Sequence, residues 1–292
     1  MSGAHGGMAT ANAEVLPHMR IDADTRLNCL IGKPARHSLS PVMHNAAFEA
    51  LEMNKVYLAF EPENLKKAME ALKELGVKGF NITMPFKVEV MKYLDRVDLM
   101  AKKIGAVNTV VEEKGLLVGY NTDGIGAIES LKKAFRGNLK GKKVLLLGAG
   151  GAGRAIAFHL KEEKADVMIA DRNALKAIRL AKALGMKSIP LQSLKSLDGF
   201  GIIINASPAG MKPKTRETPV PAKLLMEELI VFDIVYEPPE TRLLREAKKA
   251  GCTTINGLEM LLNQGFETFR LFTGVKAPEE VMREAVMKAV EL

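Results

Sequence analysis

Lys143-Val144-Leu145-Leu146-Leu147-Gly148-Ala149-Gly150-Gly151-Ala152-Gly153 is the stretch that decides the fold. A short apolar run stops at a glycine, and a helix-forming pattern begins within a few residues. Glycine at 148 permits a tight turn, and glycine at 150 lets backbone approach an anion with no Cβ in the way. Glycine at 153 lets the following helix sit close to the strand. The N-terminus of that helix directs free N–H groups and a positive dipole at whatever lies over the turn. Gly148, Ala149, Gly150, Gly151, Ala152 and Gly153 are therefore candidate dinucleotide-binding residues.

Strand and helix patterns alternate downstream of the turn. Strands are predicted at 166–170, 201–205, 229–234 and 253–255, with helices at 152–161, 174–184 and 241–250. This βαβ repetition indicates a parallel, doubly wound sheet. The second strand runs into Asp171-Arg172-Asn173, with Lys176 close behind. An acidic side chain at that place bonds a ribose 2′-hydroxyl, as in NAD, whereas an arginine accommodates the 2′-phosphate of NADP. Both types stand side by side here. Arg172 favours NADP(H), with NAD the weaker alternative. Asp171 opposes that choice unless it points away, and its plain structural use is to cap the next helix.

A second alternation precedes the turn. Strands are expected at 27–31, 56–60, 79–82, 107–111 and 116–120, and helices at 41–51, 65–75 and 88–94, with a linking helix at 125–135. The last forty or so residues are helical, at 258–272 and 278–290, with no strand after them. The class is α/β with two lobes: an N-terminal α/β substrate domain, a Rossmann-type doubly wound dinucleotide-binding domain, and C-terminal helices packing back on the first. The expected division is a disordered leader over 1–19, a substrate-binding catalytic domain over 20–123 completed by 257–292, and a cofactor domain over 124–256.

Composition narrows the function. With 292 residues the chain exceeds the usual single core. No apolar run approaches the ~20 residues that span a bilayer, and the Gly/Ala-rich start lacks the pattern of a signal peptide. Two cysteines, Cys29 and Cys252, read as free buried thiols of a cytoplasmic protein. Histidines without metal-ligand spacing indicate no metal site. The net charge of +8 reads as solvated helix faces or as a field that draws in anionic ligands. Without aromatic interleaving or a recognised module it does not indicate nucleic acid. The sequence does not fix the oligomeric state, and a homodimer is compatible with it.

Three polar segments remain. Asn81-Ile82-Thr83-Met84-Pro85-Phe86-Lys87 and Asn121-Thr122-Asp123-Gly124 could bring Lys87 and Asp123 together as a proton-handling pair. His37-Ser38-Leu39-Ser40-Pro41 precedes a helix, with Ser40 fitting the N-cap and Pro41 the first helical position. Its two hydroxyls at a helix start suit a carboxylate, or Ser40 is only a cap.

These segments recur in one order with others: Gly32-Lys33-Pro34, His37 to Pro41, His44-Asn45, Asn81 to Lys87, Gly105 to Thr109, Gly119 to Gly124, Gly148 to Gly153, and Asn256-Gly257-Leu258 followed by Gln264. In this the chain, from about Leu27 onward, resembles the shikimate dehydrogenase family. The resemblance implies reduction of 3-dehydroshikimate to shikimate with NADPH, in the pathway to chorismate and aromatic amino acids. It implies that Ser38 and Ser40 bind the substrate carboxylate, that Thr83, Asn108 and Asp123 surround the ring hydroxyls, and that Lys87 is the catalytic lysine paired with Asp123. It places Gln264 at the substrate, Tyr236 near the carboxylate or the nicotinamide, and the Gly257 backbone at the nicotinamide. Ser207 and Met211, in the loop after Asn205, and Ile234 fall beside the cofactor. His37, His44 and Asn45 read as structural, holding the loop before the helix. The cofactor strand ends Asp-Arg-Asn where NADP-using relatives usually have Asn-Arg-Thr. Alternatives are an NAD-preferring quinate/shikimate dehydrogenase, a methylene-tetrahydrofolate dehydrogenase of related layout, and a non-catalytic NADP(H)-sensing protein.

Overall fold

The computed structural model describes residues 21–135 and 137–291, so the leader expected over 1–19 lies outside the described residues. Two six-stranded sheets form the molecule. The first contains β1 (Arg26–Ile31), β2 (Lys55–Phe60), β3 (Gly79–Ile82), β4 (Arg96–Val97), β5 (Thr109–Glu113) and β6 (Leu116–Tyr120), in the order β2-β1-β3-β5-β6-β4. It is mixed: β1 is parallel to β2 and β3, whereas β5 is antiparallel to both β3 and β6. Helices α1 (Ser40–Ala50), α2 (Leu65–Glu74) and α3 (Leu99–Ile104) connect its strands. The formation of α2 is local: Asn64 caps it by accepting the Lys67 N–H at 3.0 Å, and Leu65, Met69 and Leu72 fall on one buried stripe.

Helix α4 (Asp123–Phe135) leads to the second sheet, built from β7 (Lys143–Leu147), β8 (Asp166–Asp171), β9 (Lys187–Pro190), β10 (Ile202–Asn205), β11 (Ile230–Asp233) and β12 (Thr253–Ile255). All its pairings are parallel and its order is β12-β11-β10-β7-β8-β9. Helices α5 (Gly151–Glu162), α6 (Ala174–Leu184) and α7 (Arg242–Lys249) cover it. The strand order reverses between β7 and β10, and the crevice at that switch point is where doubly wound sheets take ligands. The strands read as near-continuous apolar runs because both faces are covered, with Val144, Leu145, Leu146, Ile203 and Ile204 fully buried.

The C-terminal helices α8 (Leu258–Thr273) and α9 (Glu279–Glu291) return to the first lobe. There Leu262, Phe269, Met282 and Val286 share a core with Met43, Ala47, Phe48 and Tyr57. The joint is close at α4. A Cβ on Gly126 would lie 2.8 Å from the Met260 carbonyl of α8, and one on Gly124 would lie 2.7 Å from the Ala155 carbonyl of α5. Cys29 and Cys252 are free and buried, and burial pushes the Cys29 thiol up to about 12. Among the described residues no helix is long and apolar enough to cross a membrane.

The structure departs from the predicted elements in four places. The helix expected at 88–94 is a 3₁₀ segment, Glu89–Tyr93, with only Val90 buried. The strand expected from 107 begins at Thr109, and the Val107 N–H goes to the Lys87 carbonyl, off the sheet. Helix α3 and strands β4 and β9 were not predicted. Six residues are too few to display a helical period, and Lys-Ser-Ile-Pro becomes a strand only through its pairing with β8. Finally, Leu39 occupies the N-cap of α1, not Ser40, which is the first helical residue. The loop before it is pinned from outside: the Glu61 carboxylate accepts the Ala35 N–H at 2.6 Å and the Arg36 N–H at 2.9 Å.

Candidate active site

A single cleft of about 980 Å³ runs between the lobes, from Ser38 and Ser40 at one end to Arg172 and Lys176 at the other. At its centre Lys87 Nζ donates to Asp123 Oδ2 at 2.6 Å. Both side chains are largely buried, at 15% and 7% exposure, so the pair is shielded from bulk water yet open to the cleft. Lys87 leaves the loop after β3, and Asp123 is the first residue of α4. The Asn108 amide donates to Asp123 Oδ1 at 3.0 Å and to Thr122 Oγ1 at 2.9 Å. Its oxygen accepts the Thr122 N–H at 2.9 Å and the Thr109 hydroxyl at 3.1 Å. Every polar valence of Asn108 is thereby committed inside the protein, and it serves first to hold the carboxylate.

Around this pair stand Thr83, Ser38, Ser40, Tyr236 and Gln264, all lining the cleft. The Ser38 hydroxyl accepts the Ser40 N–H at 3.2 Å, which turns the start of α1 toward the cavity. Burial pushes the Tyr236 phenol above its ordinary value, offset in part by Ser38 and the Leu39 backbone. The Gln264 amide donates to Leu261 on its own helix at 2.7 Å. His37 also lines the cleft and is exposed. His44 is buried and Asn45 is partly buried. Asn45 exchanges hydrogen bonds with the Tyr57 backbone at 2.7 and 3.0 Å, and His44 stacks on the Tyr57 ring at 4.6 Å.

The phosphate end is built from the glycine turn. Gly148 has φ +113°, a conformation strained for any other residue. A Cβ on Gly153 would stand 2.1 Å from the Gly148 carbonyl, whereas one on Gly150 would meet nothing within 4 Å among the described residues. Gly150 therefore faces open cleft, and α5 begins there without a side-chain cap. Its first-turn N–H groups have no intrahelical partner and are free for an anion. This fits a dinucleotide pyrophosphate. Gly148, Gly150, Gly151, Ala152, Ser207, Met211, Ile234 and Gly257 line the cleft. Ala149, Gly153 and Asn173 do not. Ala149 is buried with its N–H on Asp171 at 2.8 Å, Gly153 packs helix on turn, and Asn173 caps α6 by accepting the Lys176 N–H. The alternative role of Asp171 as that helix cap is thus taken by Asn173.

Sequence reasoning missed the support beneath these loops. Asp233, at the end of β11, has no exposure. It accepts the Asn205 amide at 2.9 Å, the Val235 N–H at 3.1 Å and the Thr241 hydroxyl at 2.7 Å. Asn205 in turn accepts the Ser207 hydroxyl at 2.7 Å. One carboxylate so fixes the loops that carry Ser207 and Tyr236, and burial pushes it up to about 6. A strand that ends in aspartate instead of an apolar residue was the available signal.

A glycine-turn crevice beside a buried ammonium–carboxylate pair defines a two-lobed, dinucleotide-dependent dehydrogenase. The comparisons narrow that class. "Shikimate dehydrogenase substrate binding domain" matches residues 30–110, "Shikimate / quinate 5-dehydrogenase" matches 129–259, and "Shikimate 5'-dehydrogenase C-terminal domain" matches 257–287. Shikimate dehydrogenase (NADP(+)) of Methanocaldococcus jannaschii is 47% identical over 281 residues, covering 92% of this chain and 99% of the relative. A crystal structure of shikimate dehydrogenase in complex with NADP+ superposes with a TM-score of 0.87 at 46% identity, covering 93% of this chain and 98% of that one. The Thermus thermophilus enzyme, in complex with NADP(H) and shikimate, superposes with a TM-score of 0.81 at 39% identity over 90% of this chain and 99% of its own. The chain belongs to the shikimate dehydrogenase family.

Proposed function

We propose that this cleft carries out the reversible, NADPH-dependent reduction of the ring ketone of 3-dehydroshikimate to the alcohol of shikimate, in the pathway to chorismate. The carrying observation is the Lys87–Asp123 contact at 2.6 Å in the same cleft as the open turn at Gly150. The bound nicotinamide supplies a hydride. The protein must then meet the negative charge that develops on the ketone oxygen and supply a proton. An ammonium held at a fixed angle by a carboxylate does both, and such positioned groups contribute about 10²–10⁴ in rate. Lys87 and Asp123 act jointly in this reading, which assigns the transferred proton to the pair. Ser38 and Ser40 take the substrate carboxylate, aided by the positive end of α1. Thr83, Asn108, Tyr236 and Gln264 complete the pocket around the ring.

Cofactor choice follows from the direction of Asp171. Its carboxylate is engaged by the Ala149 and Asn173 N–H groups, at 2.8 and 2.7 Å. Exposed Arg172 and Lys176 are left to receive a 2′-phosphate, which supports NADP over NAD. We assign residues 20–123 with 257–292 to the substrate domain and 124–256 to the cofactor domain, and place the protein in the cytoplasm, where buried free thiols persist. The deciding assay follows NADPH absorbance with shikimate and with quinate, each against NADP⁺ and NAD⁺. Fast turnover of shikimate with NADP⁺ supports the reading, and turnover of none of the four combinations sinks it.

A further inference from the structure

Behind Asp123, away from the cleft, lies a set of hydroxyls that the mechanism above does not use. Thr268 projects from α8 and is completely buried. Its Oγ1 is 3.1 Å from that of Thr109 and 3.2 Å from that of Thr122, contacts that bridge 159 and 146 positions of sequence. Asn81 Nδ2 also reaches Thr109 Oγ1 at 3.0 Å and Thr268 Oγ1 at 3.5 Å, and donates to the Asn108 carbonyl at 3.0 Å.

Each hydroxyl has one proton to give, and counting them fixes the direction of every bond. Thr109 gives its proton to Asn108 Oδ1. The contact between Thr109 and Thr268 therefore uses the proton of Thr268. With that proton committed, the contact between Thr268 and Thr122 uses the proton of Thr122. Thr122 itself accepts from Asn108 Nδ2. The bonds close into a one-way ring: Asn108 amide nitrogen to Thr122, to Thr268, to Thr109, and back to the Asn108 amide oxygen. The other Asn108 N–H is the one held against Asp123.

We propose that Thr268 is a positioning residue for the reaction. Its hydroxyl closes this ring from the C-terminal helix, holds Asn108 rigid, and through Asn108 holds the carboxylate that orients Lys87. Without that hydroxyl the Thr122 proton has no acceptor, directly beside Asp123 in the chain, and Thr109 loses a donor. Buried groups left unpaired in this way drive local rearrangement. The ring also ties the Asp123 loop to the helix that carries Gln264.

The inference rests on the Lys87–Asp123 assignment. The test compares T268V, which keeps the volume and loses the hydroxyl, with T268S, which keeps the hydroxyl and loses a methyl. Thermal melts verify folding. The expected result is a kcat at least about fivefold lower for T268V than for T268S, with NADPH affinity unchanged in both. A packing role predicts the reverse order, since serine leaves a gap and valine does not. Equal rates, a slower T268S, or a parallel loss of NADPH affinity overturn the proposal. Should T268V fail to fold, T268A against T268S removes the same hydroxyl at nearly the same volume, with the same criterion. D123N separates the two levels: full activity in D123N removes the underlying assignment, whereas a dead D123N beside a fast T268V removes only the ring.

Discussion

The Asp171 carboxylate, which lines the cleft, accepts the Ala149 N–H at 2.8 Å and so braces the glycine turn. Its neighbour Arg172 is exposed, with its Nη1 4.0 Å from Glu217 Oε2 across the mouth of the cleft. The acidic and basic residues that compete in the sequence are thereby given separate tasks. R172A is expected to weaken NADPH at least about tenfold and NADH far less, because the guanidinium proposed to receive the 2′-phosphate is removed. D171N should weaken both cofactors alike by loosening the turn. Fluorescence titration of the two reduced cofactors checks this, and equal losses in R172A would reduce Arg172 to an adenine-stacking surface.

Lys87 is expected to affect chemistry, not cofactor binding. K87M keeps the aliphatic stem that packs on Gly151 and removes the charge. Turnover should fall by about 10²–10⁴ while the NADPH dissociation constant stays within error. Single-turnover kinetics give the chemical step directly, and a near-parental rate would remove Lys87 from the mechanism.

The serine pair at the start of α1 should act on substrate alone. Hydrogen bonds to a charged group contribute about 1.5–3 kcal/mol each. S38A combined with S40A is therefore expected to raise KM for shikimate about tenfold or more, leaving KM for NADP⁺ unchanged. An unaltered shikimate KM would show that the carboxylate lies elsewhere.

His44 is expected to lower stability in acid. It is buried among Phe48, Tyr57, Phe269 and Phe272, its Nδ1 has no hydrogen-bond partner among the described residues, and burial lowers its pKa to about 3. The folded value lies below the unfolded one. The neutral ring therefore contributes full stability above about pH 6.5, and that contribution is lost as pH falls toward 3. Between pH 7 and pH 4 the loss amounts to about 3 kcal/mol. Urea unfolding across that range should show the loss in the parent protein and a flatter profile in H44F; parallel profiles would contradict it.

Local signals carried much of the fold and part of the site. The glycine spacing of the turn is contained in a few residues, and sequence alone exposed the steric reasons for Gly148 and Gly153 but not that for Gly151, which lies against the Lys87 stem. Lys87 and Asp123 were visible as residue types, but their 2.6 Å contact joins positions 36 apart and is a product of topology. The Thr268 ring was invisible for the same reason. A threonine in an amphipathic helix gives no sign that it faces two other threonines from distant strands and turns. Ser40 shows the opposite failure. Its fit to the capping pattern was real, but the helix starts one residue earlier, with Leu39 at the cap, after a loop held by Glu61 of a different segment. Asn205 and Asp233 sit at strand ends where only three-dimensional pairing makes them partners.

Gly151 bears on any attempt to redesign this protein. A Cβ there would come within 2.9 Å of the Lys87 Cβ and 3.0 Å of its Cδ, so the phosphate turn of one lobe rests directly on the lysine stem of the other. The two halves are not interchangeable cassettes. A dinucleotide module borrowed from another dehydrogenase, with any side chain at that position, would displace the ammonium before it altered cofactor preference. Retargeting from one nicotinamide cofactor to the other is best attempted at the Arg172 rim, leaving this glycine bare.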